Sequence, residues 1–133
     1  GLGIVQYFYS KDFRRYFFVK EEGSFAETRG DNFDRFGSLT YIGIHTPVDF
    51  LKHTDFDLAT GFDYGNYPQF SSLSALDRNE RRDKRFDVYT ALTHHWKRNL
   101  ATRVFYRYIT ADDDNGFFSH KRHLAGVEAI FSQ

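Results

Sequence analysis

The chain has 133 residues, enough for one domain with a core of its own. Its 18 basic and 18 acidic residues cancel, which leaves no electrostatic footprint for nucleic acid. It has no cysteine, so a disulfide framework and a cysteine-ligated metal are excluded.

Aromatic residues make up 20% of the chain, with 16 Phe and 9 Tyr, yet mean hydropathy is −0.59. That combination suits strands in which only alternate residues are apolar. No run approaches 18 apolar residues, so no transmembrane helix is expected, which leaves a β-barrel open. There is no methionine, and no signal peptide is recognisable. The chain therefore reads as a processed product or a piece of a longer one.

In chain order, residues 1–10 (GLGIVQYFYS) predict a strand, and Lys11-Asp12 begins a turn. Residues 15–22 (RYFFVKEE) predict a second strand. Residues 23–32 form a polar loop that contains Arg29-Gly30-Asp31. As an integrin-type signal this tripeptide is weak, since any polar loop can hold it. Residues 34–45 predict a third strand, with Arg35, Gly37, Leu39, Tyr41, Gly43 and His45 on one face. Glycines on that face suit a crowded or curved interior. Pro47 is expected to stop the ladder. Residues 54–64 alternate most cleanly: Phe56, Leu58, Thr60, Phe62 and Tyr64 oppose Asp55, Asp57, Ala59, Gly61 and Asp63. Residues 65–83 read as a long loop.

Residues 85–109 carry the strongest signal. Phe86, Val88, Thr90, Leu92, His94 and Trp96 alternate with Arg85, Asp87, Tyr89, Ala91, Thr93 and His95. After a polar break at 97–99, Leu100, Thr102, Val104, Tyr106 and Tyr108 oppose Ala101, Arg103, Phe105, Arg107 and Ile109. Period two, twice, around a tight turn predicts a long β-hairpin. Ten steps at ~3.3 Å span roughly 33 Å. Tilted by ~40°, that matches the apolar band of about 25 Å on an outer-membrane barrel. Residues 111–116 (ADDDNG) predict an acidic turn, with Asn115-Gly116 a hairpin signal. The last strand is expected over 118–131. Short connections near 11–14, 46–50 and 97–99 alternate with longer ones near 23–33, 65–83 and 111–117, as in barrels with short periplasmic turns.

The segment RRDKRFDVYTALTHHW…LATRVFYRYITADDDNGFFSHKRHLAGVEAIF, about residues 80–131, resembles the C-terminal end of Gram-negative outer-membrane β-barrels. The shared pattern is an Arg-Asp start, a strand ending in Trp, a strand end of the Y.Y type and a final strand closing in an aromatic. It looks most like porin-like barrels linked to exopolysaccharide export, and is also similar to the barrels of surface lipoprotein assembly modifiers. It departs from the pattern where Ser132 and Gln133 follow Phe131, and where Asp114-Asn115 replaces Ser-Asn. The resemblance implies recognition of residues 123–131 by the barrel assembly machinery.

The expected fold is an all-β, antiparallel up-and-down transmembrane barrel of seven to eight strands, or the C-terminal portion of one, in a single domain over 1–133. Seven strands is an odd number, so either an eighth strand lies within the chain or upstream segments or other chains are expected to complete the barrel. The expected lumen face carries Arg35, Asp55, Asp57, Asp63, Arg85, Asp87, Arg103, Arg107 and Glu128. The expected lipid face carries Phe56, Leu58, Phe62, Val88, Leu92, Val104 and Val127. Phe86, Trp96, Tyr106, Tyr108 and Phe131 form an interface girdle. The role is then passage of a polar solute, polymer or polypeptide across the bacterial outer membrane, with membrane lipid as partner. Two alternatives stand beside it: a soluble, aromatic-rich sandwich or barrel that binds a ligand, and a structural barrel sealed by its own salt bridges.

No metal, cofactor or enzymatic activity is expected. His94 and His95 point to opposite faces, and His120 and His123 differ in parity, so neither pair makes a two-ligand site within one strand. In 112–116 the acids are consecutive, and the twelfth position from Asp112 is His123, not the Glu of a calcium loop. Ser119 and His120 are adjacent, a poor geometry for a nucleophile and its base.

Overall fold

Seven strands follow one another around a single antiparallel sheet, each hydrogen-bonded only to its neighbours in sequence. They are β1 (Leu2–Tyr9), β2 (Tyr16–Ala26), β3 (Arg35–Pro47), β4 (Thr54–Tyr67), β5 (Arg81–Lys97), β6 (Leu100–Asp113) and β7 (His120–Phe131). The computed structural model describes residues 1–27, 34–67, 81–113 and 119–131. The Arg29-Gly30-Asp31 tripeptide and the Asn115-Gly116 turn signal lie outside them.

The up-and-down order is the one expected, but the sheet is open: β1 and β7 are its two edges and do not pair with each other. A closed barrel within these strands is therefore corrected to an open sheet. The physical reason is direction. In an antiparallel meander with an odd number of strands, the first and last run the same way. A β1–β7 seam would be parallel, breaking the ladder that every other pair uses.

Several strands are longer than their apolar alternation. β5 has 17 residues and starts at Arg81, not Arg85, because residues 81–84 pair with residues 64–67 of β4. β4 runs on to Tyr67, β2 to Ala26 and β6 to Asp113. Pro47 is the final residue of β3, opposite Asp55, where its missing N–H interrupts nothing further along. With β6 extended, the β6–β7 connection shrinks to 114–119, no longer than 10–15 or 48–53. The alternation of connection lengths is accordingly weaker than the sequence suggests. The connections at 27–34 and 68–80 stay the longest, and 98–99 the shortest.

No large side chain among the described residues is fully buried. Apart from Ile109, the buried positions among the described residues are small or polar: Gly43, Gly61, Gly65, Ala91, Ala101, Thr54, Thr93 and Asp87. The sheet is thus one layer with two distinct faces and no apolar core between layers.

Candidate functional site

Register turns the alternating pattern into two surfaces. One carries rows that run across the strands, such as Phe8, Phe17, Ile44, Leu58, Thr90, Tyr106 and Ala125. A second row on the same face joins Phe56, Leu92, Val104 and Val127. All seven residues expected to face lipid share this surface. Most stand well exposed, Val104 at 54% and Val127 at 72%. Of the girdle residues, Trp96 and Phe131 sit at the end near the 98–99 turn. Phe86 lies across from Phe62, several rows away toward the opposite end of the sheet. Tyr106 and Tyr108 fall in the middle of β6, where both rings contact His123, and the Tyr106 hydroxyl lies 2.7 Å from its Nδ1.

The opposite surface carries all nine residues expected to line a lumen, and their charges compensate across strands. Arg35 donates to Asp63 at 2.7 Å. Asp87 is 2% exposed and accepts two hydrogen bonds from the Arg107 guanidinium on one carboxylate oxygen, one of them, from Nε, at 2.9 Å. Arg85 approaches the same oxygen at 3.5 Å. Arg107 also donates to the Tyr41 hydroxyl at 3.1 Å, linking β3 to β6 across two intervening strands. Arg103 donates to Thr93 and stands 3.8 Å from Glu128. Opposite charges so placed stabilise one another and satisfy polar groups that the sheet partly shields from water.

Two features of this face escape the sequence reading. The first is a set of seats for large side chains. A Cβ on Gly61 would lie 2.5 Å from the Tyr41 ring, one on Gly43 2.4 Å from Phe18, and one on Gly126 2.7 Å from Phe105. Each ring lies over the glycine directly across from it in the register. Parity showed glycines crowding this face; the hairpin register shows which ring covers which.

The second is a cluster of histidines and acids near the short connections. His45 Nδ1 lies 2.7 Å from Asp57, and His95 Nε2 lies 2.9 Å from Asp55. The Tyr16 ring stacks on His45 with centroids 4.8 Å apart. A cleft of about 610 Å³ opens beside them, lined in part by Phe13, Tyr16, His45, Asp55 and His95. Strand parity puts His45 and Asp57 on one face, but a turn over 46–50 would set His45 opposite Leu51; the pairing comes from the observed register, in which β3 runs on to Pro47 opposite Asp55. His94, on the other face, bonds Thr54 at 2.9 Å. Among the described residues, no three His, Cys, Asp or Glu side chains are grouped to hold a metal. Ser119 donates to Asp112 at 2.7 Å.

In the 10–15 connection, the Ser10 hydroxyl and then the Arg14 amide hold the Asp12 carboxyl below its usual range. A second cleft, of about 530 Å³, opens at the other end of the polar face beside Arg35, Asp63, Asp83 and Arg122. The face thus has a cleft at each end, with the Tyr41–Asp87–Arg107 bridge between them. No protein-family model, no curated protein and no solved structure matches the chain.

Proposed function

We propose that this sheet is part of an outer-membrane β-barrel whose polar face lines the lumen, and that it passes a polar solute, polymer or polypeptide. One observation carries the reading: a single-layered sheet with an uncovered, mostly apolar face on one side, where Glu21 of β2 is held by Thr40, and a face rich in charge pairs on the other. In water, a contiguous apolar surface of this extent is a liability. In lipid it is the required solvent contact, while the backbone groups are satisfied by the ladder. A soluble sandwich would need a second layer over Phe56, Leu92 and Val104, and the described residues supply none.

Closure follows from strand direction. An odd number of further strands between β7 and β1 gives an even, antiparallel barrel, which is the bacterial rule. The sealed structural barrel keeps a place as a second reading, because the Tyr41–Asp87–Arg107 bridge spans the middle of the polar face.

The test begins with extraction of the native protein from the bacterial envelope in detergent, and electrophoresis with and without boiling. A heat-dependent mobility shift is expected, with conductance in planar bilayers. Val104→Arg should destabilise the inserted protein by about 2–4 kcal/mol, the figure for a cation near the bilayer midplane. A protein recovered from the soluble fraction, unshifted by heat and indifferent to Val104→Arg, would overturn the reading. A heat shift without conductance would select the sealed barrel.

A further inference from the structure

The connections at 10–15, 48–53 and 98–99 all lie at one end of the sheet. They are tied together. Arg15 reaches Asp49 at 2.9 and 3.1 Å, and the His95 amide donates to the His53 carbonyl at 2.8 Å. Together they make one rim. Lys11, Arg14, Lys52, Lys97 and Arg98 stand exposed on it. Among the described residues none of these five has an ion-pair partner, whereas Arg15 is neutralised by Asp12 and Asp49. At the opposite end, the described charges come in both signs and Arg35 is paired with Asp63.

The same rim exposes Phe13 at 75%, Phe50 at 86% and Trp96 at 62%. Phe13 and His53 also hold positive φ, 55° and 58°, a conformation bulky residues rarely adopt. Glycine at position 13 would relieve the backbone but remove a ring from the rim.

Water solvates free cations but offers nothing to exposed Phe and Trp. A headgroup layer offers both: phosphate oxygens for ammonium and guanidinium groups, and the depth at which aromatic rings are favoured. The geometry points to this rim as a docking surface for anionic phospholipid, its five unpaired cations on the phosphodiesters and its aromatic side chains among the headgroups. This inference rests on the membrane reading, and adds the chemistry of the leaflet on the short-connection side and the direction in which the barrel is seated.

Trp96 is the single tryptophan of these 133 residues and stands on the rim; with any tryptophan in the remaining strands of the barrel replaced by phenylalanine, its fluorescence reports the contact. The protein is refolded into phosphatidylcholine vesicles containing a minority of phosphatidylglycerol, with one or the other lipid brominated on its acyl chains. At equal content, brominated phosphatidylglycerol should quench Trp96 more strongly. Each cation near an anionic surface is worth roughly a five-fold preference. Lys52→Glu with Arg98→Glu should therefore lose most of the preference while quenching by the bulk lipid persists. Should that variant not refold, the wild-type preference must still fall as salt is raised. Equal quenching by the two brominated lipids, in protein that floats with the vesicles, overturns the anionic-lipid surface and leaves the membrane reading intact. Protein that neither floats nor is quenched by either lipid sinks both.

Discussion

Asp87 is the most demanding residue of the polar face. Its carboxylate is almost wholly buried, and one oxygen, Oδ1, has no hydrogen-bond partner among the described residues. The other oxygen depends on Arg107. Removing one partner of a buried pair leaves a charge without compensation, which costs about 3–5 kcal/mol when both are buried. The Arg107 side chain is 35% exposed, so water softens the loss. Arg107→Leu should then destabilise the refolded protein by about 2–3 kcal/mol, read from urea unfolding. Arg103→Leu should cost less, about 1 kcal/mol, since Glu128 is 3.8 Å away and half exposed and the remaining loss is one hydrogen bond to the neutral Thr93 hydroxyl. Equal losses for the two variants would contradict this division. Parity was enough to place Asp87, Arg103 and Arg107 on one face. It did not choose between the arginines, because the choice depends on register. Asp87 lies opposite Ile109, which puts Arg107 on the diagonal and Arg103 out of reach. That register is fixed by the 98–99 turn and by an irregularity between His95 and Lys97 that no periodicity reveals.

Strands were legible in this chain wherever apolar and polar residues alternate, and their ends were not. Residues 81–84 read as loop because they are charged, yet they extend β5 against the polar end of β4. A strand that leaves the apolar region needs no apolar residue to keep its ladder. Glycines behave in a similar way: their face could be read, but their function comes from the neighbouring strand. Gly61 lets Tyr41 lie flat enough to reach Arg107, whereas Gly65 sits beneath the flexible Arg35 side chain. A Cβ at position 61 would meet the ring at 2.5 Å; at position 65 it would meet Arg35 Nε at the same distance. The guanidinium can swing away at the cost of only its partly exposed pair with Asp63, whereas the stiff ring cannot move without uncoupling the buried Asp87–Arg107 pair from β3. Gly61→Ala should cost about 1–3 kcal/mol, as overpacking does, and Gly65→Ala clearly less. Adding Tyr41→Ala to Gly61→Ala should remove the clash, so that the double variant is less destabilised than the two single losses summed. Strict additivity in a double-mutant cycle would show that the ring and the glycine are not coupled.

The whole sheet ends in two edges, and here the sequence was informative about parity but silent on closure. Every residue of β1 is exposed, and in β7 only Gly126 and Ile130 are partly covered. An edge strand exposes a row of unpaired amide and carbonyl groups, which soluble proteins blunt with charge, proline or a bulge. β1 reads Leu-Gly-Ile-Val-Gln-Tyr-Phe-Tyr and has none of these devices. β7 keeps Lys121 and Arg122 at one end but continues as Leu-Ala-Gly-Val-Glu-Ala-Ile-Phe. In a bilayer the difficulty is sharper, since no water reaches those groups and each left unsatisfied costs several kcal/mol. Both edges must therefore be paired in the inserted protein. Amide hydrogen exchange checks this directly. In an antiparallel pair only alternate amides bond to the neighbouring strand. Half of the β1 amides are consequently held by β2 and half of the β7 amides by β6, and the remaining half report on the outer side of each edge. In the native protein in lipid, those outward amides should be protected to the same degree as the amides of β5, which is paired on both sides. If they exchange as fast as amides in the 10–15 and 48–53 connections, the edges are open to water. The sheet would then work outside the bilayer core, and its apolar face would have to be covered by protein.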